Sequence, residues 1–132
     1  MIKNFFHPPP PTSEVIVKTV QKLRFQSIKL EQVTIRLRNR DRVLFETCVA
    51  EVERNRRERA AICANEIAEV RKLLKIVTQC QLALQRIILR LETIKELGDV
   101  LADLRPTLRA LQGLMGYLEK IMPDIAVELE KV

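Results

Sequence analysis

Apolar residues recur along this chain at alternating steps of four and three. In the first half the seam reads Ile16, Val20, Leu23, Leu30, Leu37, Leu44 and Cys48; in the second it reads Cys63, Ile67, Val70, Leu74, Val77, Leu84, Ile88 and Leu91. The mean repeat is about 3.5 residues, the period of helices that supercoil and pack knobs into holes. Between Thr12 and Leu97 there is neither glycine nor proline, so nothing in that stretch punctuates a helix. Second apolar rows widen both stripes: Ile28, Ile35 and Val49 in the first half, Leu73, Cys80, Ile87 and Ile94 in the second. This surplus makes Ile28, Ile35, Leu73 and Ile87 candidates for self-association or for covering by a third helix.

The longest gap between apolar residues is Glu53-Arg54-Asn55-Arg56-Arg57-Glu58-Arg59. Reversal at Arg54, Asn55 and Arg56 creates two arms of about 40 residues, each about 60 Å long, that cover both seams. A rival reversal at Arg38-Asn39-Arg40-Asp41-Arg42 leaves arms of very unequal length. Ser13 followed by Glu14 suits a helix start, with a capping hydroxyl and a first-turn carboxylate. After Ile94, Glu96-Leu97-Gly98-Asp99 reads as one helix ending and another beginning. Pro106 falls in the first turns of that helix, where it can kink it, and Pro123 opens a last acidic segment. The predicted chain is all-α. A Pro-rich tail at 1–12 precedes a long antiparallel helical hairpin (13–54 and 57–96), then a helix at 99–120 and the start of a fourth at 124–132.

Charge adds a direction to this picture. The net charge of +6 lies entirely in residues 1–60, which hold 13 Lys/Arg against 7 Asp/Glu; residues 61–132 hold 10 of each. A basic half beside a neutral half implies an acidic partner surface for the first arm. Lys18, Lys22, Lys29, Arg36 and Arg40 fall within a sector about 40° wide on a straight helix. Glu31 and Asp41 point elsewhere, and Arg24, Arg38 and Arg42 form a second basic row. Solvated coiled-coil faces normally mix signs, whereas a line of like charge costs a few tenths of a kcal/mol per neighbouring pair. Such a line suits an anionic surface. On a lipid headgroup plane each Lys or Arg contributes about 1 kcal/mol.

A nucleic-acid backbone would also attract this line, but the chain lacks stacking aromatics, a helix-turn-helix and a zinc motif, so lipid is favoured and no nucleic acid is expected. A basic nucleic-acid-binding adaptor and a passive coiled-coil scaffold stay open as alternatives. Ile2, Phe5 and Phe6 form a short apolar patch ahead of Pro8–Pro11, suited to shallow insertion at a membrane interface.

Other chemistry is scarce. No apolar run approaches the eighteen or so residues that span a bilayer, and the four early prolines break any signal-peptide pattern. Cys48, Cys63 and Cys80 lack close spacing and read as packed thiols of a reduced protein. His7 is the single histidine and lies in the tail. With no phosphate loop, nucleophile–base pair or ligand cluster, the expectation is a non-enzyme with no cofactor and no metal.

The segments Ala64-Asn65-Glu66-Ile67-Ala68-Glu69-Val70-Arg71-Lys72 and Leu82-Ala83-Leu84-Gln85-Arg86-Ile87-Ile88-Leu89-Arg90-Leu91-Glu92-Thr93-Ile94, with Leu97-Gly98-Asp99-Val100 and Met122-Pro123, resemble the archaeal ESCRT-III homologues of the CdvB type. The resemblance runs from about Val20 onward. It implies a cytoplasmic subunit, peripheral on the inner face of the plasma membrane at the division site. There it would form filaments with itself and with paralogous ESCRT-III subunits, constrict the membrane neck and be remodelled by an AAA ATPase. The basic face of the first helix matches the family's membrane-facing helix. The family's ATPase-binding motif follows a fifth helix, beyond the last residue of this sequence.

Overall fold

The computed structural model describes residues 12–97 and 105–130, with side chains over 13–97 and 105–123. Helix α1 spans Thr12–Glu53 (42 residues), α2 spans Arg57–Leu97 (41 residues) and α3 spans Arg105–Glu130 (26 residues). The first two run antiparallel as a hairpin, and α3 packs chiefly on α2 with a smaller contact to α1.

Three residues reverse the chain. The Arg56 N–H donates to the Glu51 carbonyl at 2.9 Å and the Asn55 N–H to the Val52 carbonyl at 3.0 Å. Asn55 adopts a left-handed φ of 57°. This is a Schellman closure, which needs one residue in the left-handed region, and asparagine tolerates that region better than most residues do. Arg56 also begins α2, its carbonyl accepting from the Ala60 N–H at 3.0 Å. The reversal therefore needs neither glycine nor proline.

Both seams close on each other. Leu37, Val70, Val77 and Leu84 are completely buried, and Leu30 and Leu91 nearly so. Thr34 sits among them as a buried polar side chain. Its hydroxyl donates to the Leu30 carbonyl at 2.9 Å and lies 3.1 Å from the Gln81 amide oxygen on the opposite arm. Further toward the turn, the Asp41 carboxylate takes a seam-edge position on α1. It accepts from Arg71 Nε at 2.9 Å and from a second guanidinium nitrogen at 3.3 Å.

From α3, Leu118 and Ile121 enter the same buried cluster, with Leu111, Leu114 and Met115 packed against it. Pro106 is the second residue of α3, where its missing N–H belongs to the unpaired first turn, so the chain tolerates it there. The predicted break at Pro123 does not occur: α3 continues through it to Glu130. A mid-helix proline orphans the carbonyl four residues earlier, here that of Glu119. Glu119 and Pro123 are both exposed, on a side of the helix where solvent can satisfy such a carbonyl. Burial of Leu118 and Ile121 holds the preceding turn in place. The predicted start of this helix, at 99, lies outside the described residues.

Candidate functional site

The basic face is built by the heptad register of α1. Leu23, Leu30, Leu37 and Leu44 are buried at seven-residue intervals, so Lys22, Lys29 and Arg36 share one row fixed relative to that seam. All three are exposed and make no ion pair with a described residue. The Lys29 ammonium lies 4.9 Å from the centroid of the Phe25 ring, a cation–π distance. Lys18 is exposed beside this row and makes a loose pair with Glu14 at 3.9 Å.

Arg40 departs from the face. It is half-buried, and its Nε is shut away from solvent. The cause is supercoiling. Seven residues advance a straight helix about 20° short of two full turns, so the seam rotates about 20° per heptad toward the basic sector. Near Lys18 the sector is opposite the seam; by Arg40 the seam has come within about 60° of it.

The second basic row is engaged differently. Arg24 crosses to Glu92 on α2 in a hydrogen-bonded ion pair. Arg42 binds Glu46 at 3.1 Å and the Asn39 amide oxygen at 2.8 Å. Arg38 is exposed and has no ion pair to a described residue. Beside the basic face, a groove of about 610 Å³ opens between α1 and α3, with Lys18, Lys22, Phe25, Leu111 and Met115 among its lining residues.

Of the four self-association candidates, Ile28 and Ile35 are 53% and 60% exposed. Leu73 is half-buried, and Ile87 is buried at 5% exposure, which removes it as a free contact. Its row (Leu73, Cys80, Ile87, Ile94) faces the side where α3 packs, so the third helix takes the surplus apolar surface of α2. Sequence reasoning passed over Leu82 and Leu89, which are 58% and 63% exposed. They stand across the groove from Ile35 and Ile28 respectively, and their heptad spacing was the available signal. Ile2, Phe5 and Phe6 lie outside the described residues; Arg54, Asn55 and Arg56 form the turn already described.

The cysteines are packed thiols. Cys63 donates to the Leu44 carbonyl at 3.0 Å and Cys48 to the Ala60 carbonyl at 3.8 Å, both across the arms near the turn. Burial, with help from the neighbouring Cys48 thiol and Glu51, pushes the Cys63 pKa up to about 11. Burial alone raises that of Cys80. No helix among the described residues is long and apolar enough to cross a membrane.

Comparison with known proteins finds relatives by sequence alone. No protein-family model matches the chain, and no solved structure matches it. Curated relatives do. Cell division protein B1 of Sulfolobus acidocaldarius is 38% identical over 114 residues, which is 86% of this chain and 53% of that protein. Cell division protein B of the same organism is 34% identical over 120 residues, 91% of this chain and 46% of that protein. The chain spans about half the length of the curated relatives it matches.

Proposed function

This chain belongs to the CdvB-type cell division proteins, and on that premise we propose that it acts in archaeal cell division as a self-assembling subunit that coats anionic membrane and bends it. The observation that carries the reading is the row of Lys22, Lys29 and Arg36, exposed at seven-residue spacing and without a carboxylate partner among the described residues. Three cations spaced about 10 Å apart along a rigid helix match an anionic headgroup plane better than a compact anion. Their attraction is electrostatic and falls with ionic strength. A single subunit would hold on weakly, and a filament multiplies the same contact along the surface. The arms supply stiffness, since two long helices with a closed seam bend less than one.

Sedimentation with anionic and with neutral liposomes, followed by electron microscopy of the pellets, tests the proposal. The expected result is co-sedimentation with anionic liposomes alone and filaments or tubules in the pellet. Substituting Lys22→Glu, Lys29→Glu and Arg36→Glu together should abolish sedimentation while circular dichroism stays helical. Retention of duplex DNA at physiological salt by a chain that ignores liposomes would replace this reading with nucleic-acid binding.

A further inference from the structure

The α1 face turned away from the basic row carries a second pattern. Val17, Arg24, Glu31, Arg38, Phe45 and Val52 recur every seven residues and are all exposed, Phe45 by 55% and Val52 by 66%. Reflected about the point between Thr34 and Ile35, the row is chemically self-complementary. Val17 exchanges with Val52, Arg24 with Phe45, and Glu31 with Arg38. Glu31 and Arg38 stand about 10 Å apart along the axis and neither forms an ion pair with a described residue. Ile35 lies on the adjoining row, 60% exposed, beside the reflection point.

We propose that a second copy of this chain occupies this face, α1 against α1 in antiparallel order, about a two-fold axis near Ile35. Antiparallel order brings Glu31 of each copy to Arg38 of the other, two ion pairs from one symmetric contact. It sets the Arg24 guanidinium, held by Glu92, over the Phe45 ring of the other copy, and apposes Val17 and Val52 at both ends. The two Ile35 side chains meet at the axis, with Leu82 beside them. A parallel arrangement in register would instead oppose arginine to arginine and glutamate to glutamate, which charge repulsion disfavours.

The placement has a consequence for the basic face. Correcting for seam drift, the Lys22–Lys29–Arg36 row lies about 155° around α1 from the self-complementary row and about 105° from the adjoining Ile35 row, so it leans to the Ile35 side of the contact. A two-fold axis perpendicular to the paired helices leaves directions along it unchanged, so both basic rows emerge on the same side. The pair therefore offers one flat side with doubled charge. This inference rests on the self-assembly proposed above and names one contact within it, a closed two-fold pair to which a filament adds a second contact; dimerisation itself is measured without lipid.

The test is analytical ultracentrifugation of the full chain in solution. A concentration-dependent dimer is expected. Glu31→Arg and Arg38→Glu should each weaken it by about tenfold or more, since each turns two attractions into two repulsions. The double variant Glu31→Arg/Arg38→Glu should restore it, and Ile35→Lys, which sets two ammonium groups at the axis, should abolish it. A chain that stays monomeric at all concentrations, or a double variant no better than the singles, overturns the proposal. Liposome sedimentation of the same variants separates the failures. A chain that binds anionic liposomes without this dimer sinks the α1 contact alone, and one that dimerises but ignores liposomes sinks the membrane reading alone.

Discussion

Cys63 on α2 donates its thiol hydrogen across the hairpin to the main-chain carbonyl of Leu44 on α1, 3.0 Å away. The contact ties the arms just above the turn and depends on the thiol staying protonated. Burial raises the Cys63 pKa from 9.0 to about 11, so the folded chain holds that proton more tightly than the unfolded one. The stabilisation is complete below pH 9 and is lost as pH climbs toward 11. Thermal melts should fall more steeply across that window for the native chain than for Cys63→Ser, which keeps a donor but does not titrate there. Parallel pH profiles would refute the assignment.

Leu37 and Leu84 are both completely buried, one from each arm. Leu37→Ala is expected to lower the unfolding free energy by about 2–5 kcal/mol, through lost apolar transfer and the cavity left behind. Leu82→Ala, two residues from Leu84 but more than half exposed, should change it by less than about 0.5 kcal/mol. Urea denaturation monitored by circular dichroism compares them directly.

The left-handed Asn55 makes a graded series possible. Asn55→Gly should be close to neutral, since glycine reaches that conformation without a Cβ clash. Asn55→Val should destabilise by about 1–2 kcal/mol, because a β-branched residue is strained there. Equal stability of the two variants would mean that the turn relaxes out of the Schellman geometry.

Pro123 interrupts the hydrogen-bond ladder inside α3. Pro123→Ala restores one rung in a region where proline costs about 3 kcal/mol relative to alanine. Amide exchange from Lys120 to Glu130 should slow markedly, with little change in α1. If exchange is unaffected, the turn around Pro123 is held by packing alone.

Arg36 and Arg40 are four residues apart and should behave differently. On the proposed membrane reading, Arg36→Gln weakens sedimentation with anionic liposomes several-fold, by about 1 kcal/mol per lost charge. Arg40→Gln, at a half-buried position, should leave liposome binding near native and instead alter thermal stability. The opposite assignment of effects would return Arg40 to the basic face.

The chain order of hydrophobic residues by itself determined much of this protein. Seam positions from Ile16 to Leu91 follow from a 3.5-residue period, because a buried stripe must repeat with the helix that carries it. The seven-residue gap around Asn55 marked the reversal, since no seam residue was available there to keep a straight helix covered. Which surfaces remain available was decided only by tertiary structure. Arg40 leaves the basic face because the seam rotates about 20° per heptad, an angle that accumulates over three heptads and is invisible at any one residue. Ile87 is buried and Ile35 is not because α3 covers one side of the hairpin and leaves the other open. Helix α3 passes through Pro123 because packing of Leu118 and Ile121 outweighs one lost rung. Local patterning specifies what must be buried; only the packed helices determine what is left over to meet a partner.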